Sequence, residues 1–292
     1  MKYFIDTKFR EEQGAIDLIS IGIVSEYIKP NGCKNIIMNN TCKEYYAISK
    51  DFDIKKAWND WQIKSVTKNS TSPLFKEAYK YHGIKEYWLR DNVLKGIFKE
   101  LSLKEYEPTN KYGKTVESTF GKLANEIIDK CIELGSFTYK NFKRLIKKYG
   151  KTNKQIAKEI EEFCKEKVNI KHNDFREYVY SKNDINKIHP KVATGYYENR
   201  SKPEFYGYYS AYDWVVLCWL FGRMIELPKG FPEYCNDLKS VLDRKQRLIN
   251  KASASVARCI KDNPNYPKEV NAYNALDNAK WNKKLYEFIN TI

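Results

Sequence analysis

Tyr3, Phe4 and Ile5 form a short apolar run that ends on a carboxylate, Asp6, and an ammonium, Lys8, follows two residues later. A carboxylate at the mouth of a buried strand is costly unless it binds a metal ion, caps a helix or meets a cation. In an extended chain residues i and i+2 point to the same side, so Lys8 is placed to be that cation. A second set of candidates sits mid-chain. Lys143, Arg144, Lys147, Lys148, Lys151 and Lys154 can track a phosphate backbone. Tyr149, Tyr196, Tyr197 and Tyr206 supply rings that can stack on bases. A plainer role competes: Tyr149 in the core and the lysines on a solvated face. The seven cysteines (33, 42, 131, 164, 218, 235 and 259) show no CxxC spacing. They read as free thiols in a reducing cytosol, neither a disulfide framework nor a zinc site. His82, His172 and His189 read as surface or loop histidines.

The totals bound the partners. With 292 residues, 42% hydrophobic and 15% aromatic, the chain can bury one large core or two small ones and is not a disordered composition. No stretch reaches the ~18 apolar residues of a membrane helix, and the start, MKYFIDTKF, is charged too soon for a secretory signal. The expectation is a cytoplasmic protein without membrane contact. Net charge is +15, unevenly placed: residues 55–200 carry 31 Lys and Arg against 19 Asp and Glu, the remainder 21 against 18. A basic middle fused to a near-neutral remainder suggests a polyanion partner.

These residues need elements to hold them. Met1–Asp6, Asp17–Glu26 and Lys43–Ser49 read as three strands of an antiparallel meander, with residues 29–43 a long turn. The glycine within Asp17–Glu26 lets another backbone approach closely. Trp58, Trp61 and Trp88 are expected to anchor residues 55–98 to a core. Asn69–Pro73 is a polar break and Tyr87–Phe98 looks helical. Three amphipathic helices follow. Val116–Leu134 carries Phe120, Leu123, Ala124, Ile127, Cys131 and Leu134 on one face; Phe137–Tyr149 carries Phe142, Leu145, Ile146 and Tyr149; Thr152–Cys164 carries Ile156, Ile160 and Phe163. Residues 165–203 read as mostly irregular. Then come a strand at Phe205–Tyr209, a nearly all-apolar helix at Ala211–Met224 expected to be buried on most sides, a strand at Tyr234–Leu238, a helix starting at Asp237–Leu242, and a closing helix at Asn274–Ile289. The sum is a mixed α/β sheet with helices on its faces.

The opening YFIDTKFREEQGAIDLISIGIVSE with KEYYAIS, the block FYGYYSAYDWVVLCWLFGRMIELPKGFPEYCNDLK and the tail NAYNALDNAKWNKKLYEFI together resemble the small bacterial and phage 3′–5′ exoribonucleases of the RNase H-like, DEDD type. The resemblance covers residues 1–58, 87–98, 152–164 and 203–292, which it implies form an RNase H-like core. Residues 59–86, 99–151 and 165–202 then read as basic, largely helical insertions. Members of that family hold two divalent ions between four carboxylates and use a histidine as general base. The resemblance places Asp6 and Asp213 at two of the carboxylate positions. Lys8 falls on the glutamate, Tyr273 on the histidine and Asn278 on the last aspartate.

Two carboxylates and the base are therefore replaced. Asp6 and Asp213 give −2, and Lys8 brings that to −1, so metal affinity is expected to collapse. Lys8 would pair with Asp6 and Asp213 as a built-in cation. Tyr273, with an ordinary pKa near 10, is a poor base at neutral pH but can stack on a base. Asp277 neighbours Asn278, yet using it would turn the side chain by about 100° around the helix. The leading expectation is a catalytically inactive exoribonuclease-like protein that binds nucleic acid, single-stranded RNA before DNA, or a protein. No cofactor is expected, with Mg or Mn only if activity survives. The alternatives are an active metal-dependent 3′–5′ exonuclease with an unusual site, and a protein-binding inhibitor or defence-related regulator, possible in a phage setting, without nucleic acid.

Overall fold

The computed structural model describes residues 1–26, 42–63, 85–106, 119–165, 177–178, 190–191, 202–252, 259–269 and 271–292. The polar break, most of the 29–43 turn, Cys33, Tyr196, Tyr197 and the three histidines lie outside them.

Five strands make the main sheet: β1 (Lys2–Glu12), β2 (Ala15–Ser25), β3 (Glu44–Ile48), β4 (Glu204–Gly207) and β5 (Asn236–Asp237), in the order β3-β2-β1-β4-β5. β2 runs antiparallel to β1 and β3, while β1–β4 and β4–β5 are parallel. The α/β expectation holds, as does the three-strand meander. The extent of β1 is corrected. β1 does not stop at Asp6 but continues to Glu12, so Asp6 lies mid-strand. Polar residues break the apolar run after Ile5, yet the ladder to β2 persists until Gly14, at φ 78°, closes the hairpin. The pairing register shifts between Lys8 and Phe9, a bulge beside the candidate residues. β4 and β5 are also shorter than the sequence suggests.

Alternation along β1 divides the core. Tyr3 and Ile5 face α5 (Asn153–Lys165) and α6 (Ala211–Leu220), packing with Ile156, Ile160, Phe205 and Leu217. Phe4 and Asp6 face α8 (Ala275–Ile289), where Phe4 meets Tyr286 at 5.3 Å between ring centroids. A second cluster runs from Ile19 and Ile48 into α1 (Ile54–Asn59), a π-helical turn (Leu89–Leu94), α2 (Lys95–Tyr106) and α4 (Tyr139–Tyr149). A third joins α8 to α7 (Leu238–Ala252).

Three burial expectations are overturned. Trp61 and Trp88 are 47% and 41% exposed; of the three tryptophans only Trp58 packs into the second cluster, against Phe137 and Phe142. The Ala211–Met224 helix ends at Leu220 and is covered on one side only: Tyr212, Val215 and Trp219 are exposed while Asp213, Trp214, Val216 and Leu217 are buried. On α3 (Thr119–Glu133), Leu123 and Ile127 are exposed and Leu134 just beyond its end also is, whereas Ile128 turns inward. In each case apolarity was clear, but the neighbour that decides which side is covered was not. Among the described residues no helix is long and apolar enough to cross a membrane.

Candidate functional site

Asp6, Gly22 and Tyr46 lie side by side across β1, β2 and β3. A Cβ on Gly22 would meet the Ala275 carbonyl oxygen at 2.4 Å, so its missing side chain admits the start of α8 onto the sheet. That close approach was legible in the sequence. Asn274 caps the helix there, accepting from the Leu276 and Asp277 amides at 2.8 and 3.1 Å. One turn on, Asn278 donates to Asp6 Oδ1 at 3.3 Å and to the Ala272 carbonyl at 3.1 Å. Asn278, not Asp277, therefore meets Asp6. A further turn along, buried Asn282 donates to the Ile5 carbonyl at 2.7 Å and ties the same helix to β1.

Lys8 Nζ lies 2.8 Å from Asp6 Oδ2. The contact is an ion pair rather than an aligned hydrogen bond. Both side chains are largely enclosed, at 15% and 14% exposure. Asp213, on α6, comes from the opposite face of the sheet. Its Oδ1 accepts from the Thr7 amide at 2.8 Å and the Thr7 hydroxyl at 2.6 Å. The expectation that Lys8 pairs with both carboxylates is thus corrected: Lys8 holds Asp6, and Thr7, pointing to the other side of β1, holds Asp213. Thr7 was missed because a residue between two candidates in a strand reads as facing away from both. Tyr273 is 41% exposed and edge-on to Trp88, 5.7 Å between centroids.

Burial raises the Asp6 pKa, opposed by the Lys8 charge and the Asn278 amide. Burial, reinforced by the Asp6 charge, pushes Asp213 up to about 7, against the Thr7 donors. Burial therefore works against full ionisation of both acids, Asp6 and Asp213. As a donor set for two divalent ions the group fits badly: hard cations need several anionic oxygens, the Lys8 ammonium occupies the cation side of Asp6, and Asn278 adds no charge. Among the described residues no three His, Cys, Asp or Glu side chains stand together as metal ligands.

The mid-chain basic residues are partly committed. Arg144 forks onto Glu105 at 2.7 and 2.9 Å and Lys148 reaches the same carboxylate at 2.9 Å. Arg144 first, then Lys148, hold Glu105 down to about 2. Lys151 pairs with Glu159 at 2.5 Å. Lys143 lies over the Tyr139 ring, and Lys147 and Lys154 are exposed. Tyr149 packs against the second cluster and Tyr206 against the third.

No family model matches the chain. A 3′–5′ exoribonuclease of Mycobacterium tuberculosis strain CDC 1551/Oshkosh and the 3′–5′ exoribonuclease of strain H37Rv are each 42% identical to it over 57 residues, 20% of this chain and 26% of theirs. The chain thus matches about a quarter of the length of these curated relatives, and over that stretch it is similar to part of a 3′–5′ exoribonuclease.

Proposed function

We propose that this chain is a pseudonuclease: an RNase H-like module of the 3′–5′ exoribonuclease type that binds single-stranded nucleic acid, RNA before DNA, without hydrolysing it. The sheet order β3-β2-β1-β4-β5, with β2 alone antiparallel to its neighbours, is consistent with that fold. The observation that carries the reading is the Lys8 ammonium 2.8 Å from Asp6 Oδ2, on the carboxylate that the resemblance makes a metal ligand. Tyr273 strengthens it. An exposed phenol edge-on to Trp88 is placed to meet a base, not to abstract a proton.

The test is an assay of 3′-end trimming on single-stranded RNA and DNA with Mg²⁺ or Mn²⁺. The expected result is intact substrate alongside binding that weakens steeply as salt rises. Metal-dependent nucleotide release that Asp213→Ala abolishes would overturn the proposal in favour of an active exonuclease with an unusual site. One observation favours a protein-binding regulator instead: Tyr212, Val215 and Trp219 form an exposed apolar stripe on α6. On that reading RNA binding is absent at every salt concentration.

A further inference from the structure

Next to the Asp6–Lys8 pair the surface opens into a cleft of about 610 Å³, lined by Tyr208, Tyr266, Trp281, Lys261, Lys268 and Glu269 among others. Its size is within the roughly 300–1,000 Å³ of small-ligand sites. Glu269 is close enough for its charge to act on Asp6, Tyr208 and Tyr266. The wall is aromatic: Tyr208 stands perpendicular to Trp281 at 5.1 Å and Tyr266 meets it at 6.4 Å. The Trp281 indole N–H donates to the Pro267 carbonyl at 2.9 Å, which pins the lining loop to α8. Burial holds both phenols protonated, Tyr266 up to about 12, so each is a donor. Lys261 and Lys268 are exposed at the rim, and among the described residues neither has a carboxylate partner. Arg144, Lys148 and Lys151, by contrast, already have theirs.

Aromatic walls with uncommitted cations are the general means of holding single strands: rings stack on bases and ammonium groups meet phosphates. Resting on the nucleic-acid reading above, we propose that this cleft takes one base of a single-stranded RNA, with the flanking phosphates on Lys261 and Lys268 and the base edge on Glu269. A carboxylate accepts hydrogen bonds and cannot donate; adenine, cytosine and guanine offer it an exocyclic amine, whereas the single N3–H of uracil lies between two carbonyl oxygens that repel it, so Glu269 favours the amine-bearing bases over uracil.

The test is fluorescence anisotropy of the full chain with labelled hexaadenylate and hexauridylate RNA. Tighter binding of hexaadenylate is expected, and Glu269→Ala is expected to reduce the preference. Lys261→Glu/Lys268→Glu should weaken binding by roughly tenfold or more and flatten the log–log salt slope by about 2. Tyr266→Leu should weaken it by roughly fivefold or more. Both lysines are exposed, so the double variant keeps the fold and carries the test even if Tyr266→Leu does not. Wild-type affinity and salt slope in the double variant would overturn the cleft while leaving the nucleic-acid reading intact. No binding of either RNA by the wild-type chain, even at low salt, would overturn both.

Discussion

Lys8 and Asn278 both touch the same carboxylate, Asp6, and on the proposed reading they stand where a metal site would have acids. Changing them together, Lys8→Glu with Asn278→Asp, places four carboxylates at the site. The expected outcome is saturable Mn²⁺ binding and a melting temperature that rises with Mn²⁺, seen in the double variant and not in the wild type. Lys8→Glu alone sets a second carboxylate beside Asp6 and should destabilise the chain. Asp213 gives a pH prediction. Its folded pKa of about 7 lies above the ordinary 3.8 because of burial and the Asp6 charge. The folded state then holds the proton more tightly than the unfolded one, so stability is full near pH 4 and falls as pH rises to about 7. Asp213→Asn keeps an oxygen for both Thr7 donors and removes the titration. It should melt close to the wild type near pH 4 and above it at pH 8; equal melting at both would show that Asp213 does not titrate in this window.

At the level of the elements, the start of α8 is the critical contact, because it rests directly on Gly22. Gly22→Ala forces backbone against backbone and should cost about 3 kcal/mol, measurable by urea unfolding, and should loosen Asn278 from Asp6. Asn274→Ala removes the helix cap and should cost about 1 kcal/mol. Both features could be read from the chain, since a glycine inside an apolar strand and an asparagine ahead of an Ala-Leu run have local meanings. So could the three-strand meander and α4 and α5, whose periods are strong. The extension of β1 was not legible, because Lys8 and Arg10 interrupt the apolar alternation that marks a buried strand. Nor were the exposed faces of α3 and α6, since a helix's sequence states how apolar its sides are and not which side another element covers. At the site, Lys8 beside Asp6 followed from i, i+2 geometry. The Thr7–Asp213 bond did not, because it depends on a helix more than two hundred residues away approaching the other face.

Across the whole molecule, charge and shape place the candidate surfaces in different regions. The basic middle holds much of the excess charge, yet Glu105 and Glu159 neutralise three of its candidate cations, whereas the aromatic cleft is lined by residues between Tyr208 and Trp281. With a cation already built into the site, chelation by EDTA should leave the melting temperature unchanged; a clear fall would mean that the fold depends on a bound ion. Lys8 lies two residues from Asp6, but Asn278 lies 272 residues from it. At about 5–20 residues per second of synthesis, on the order of tens of seconds pass between the two. Throughout that interval β1 carries its own counter-ion, so the nascent strand can join the hairpin without an unpaired carboxylate. Replacing Lys8 should therefore lower the yield of newly made protein more than it lowers the stability of molecules already folded.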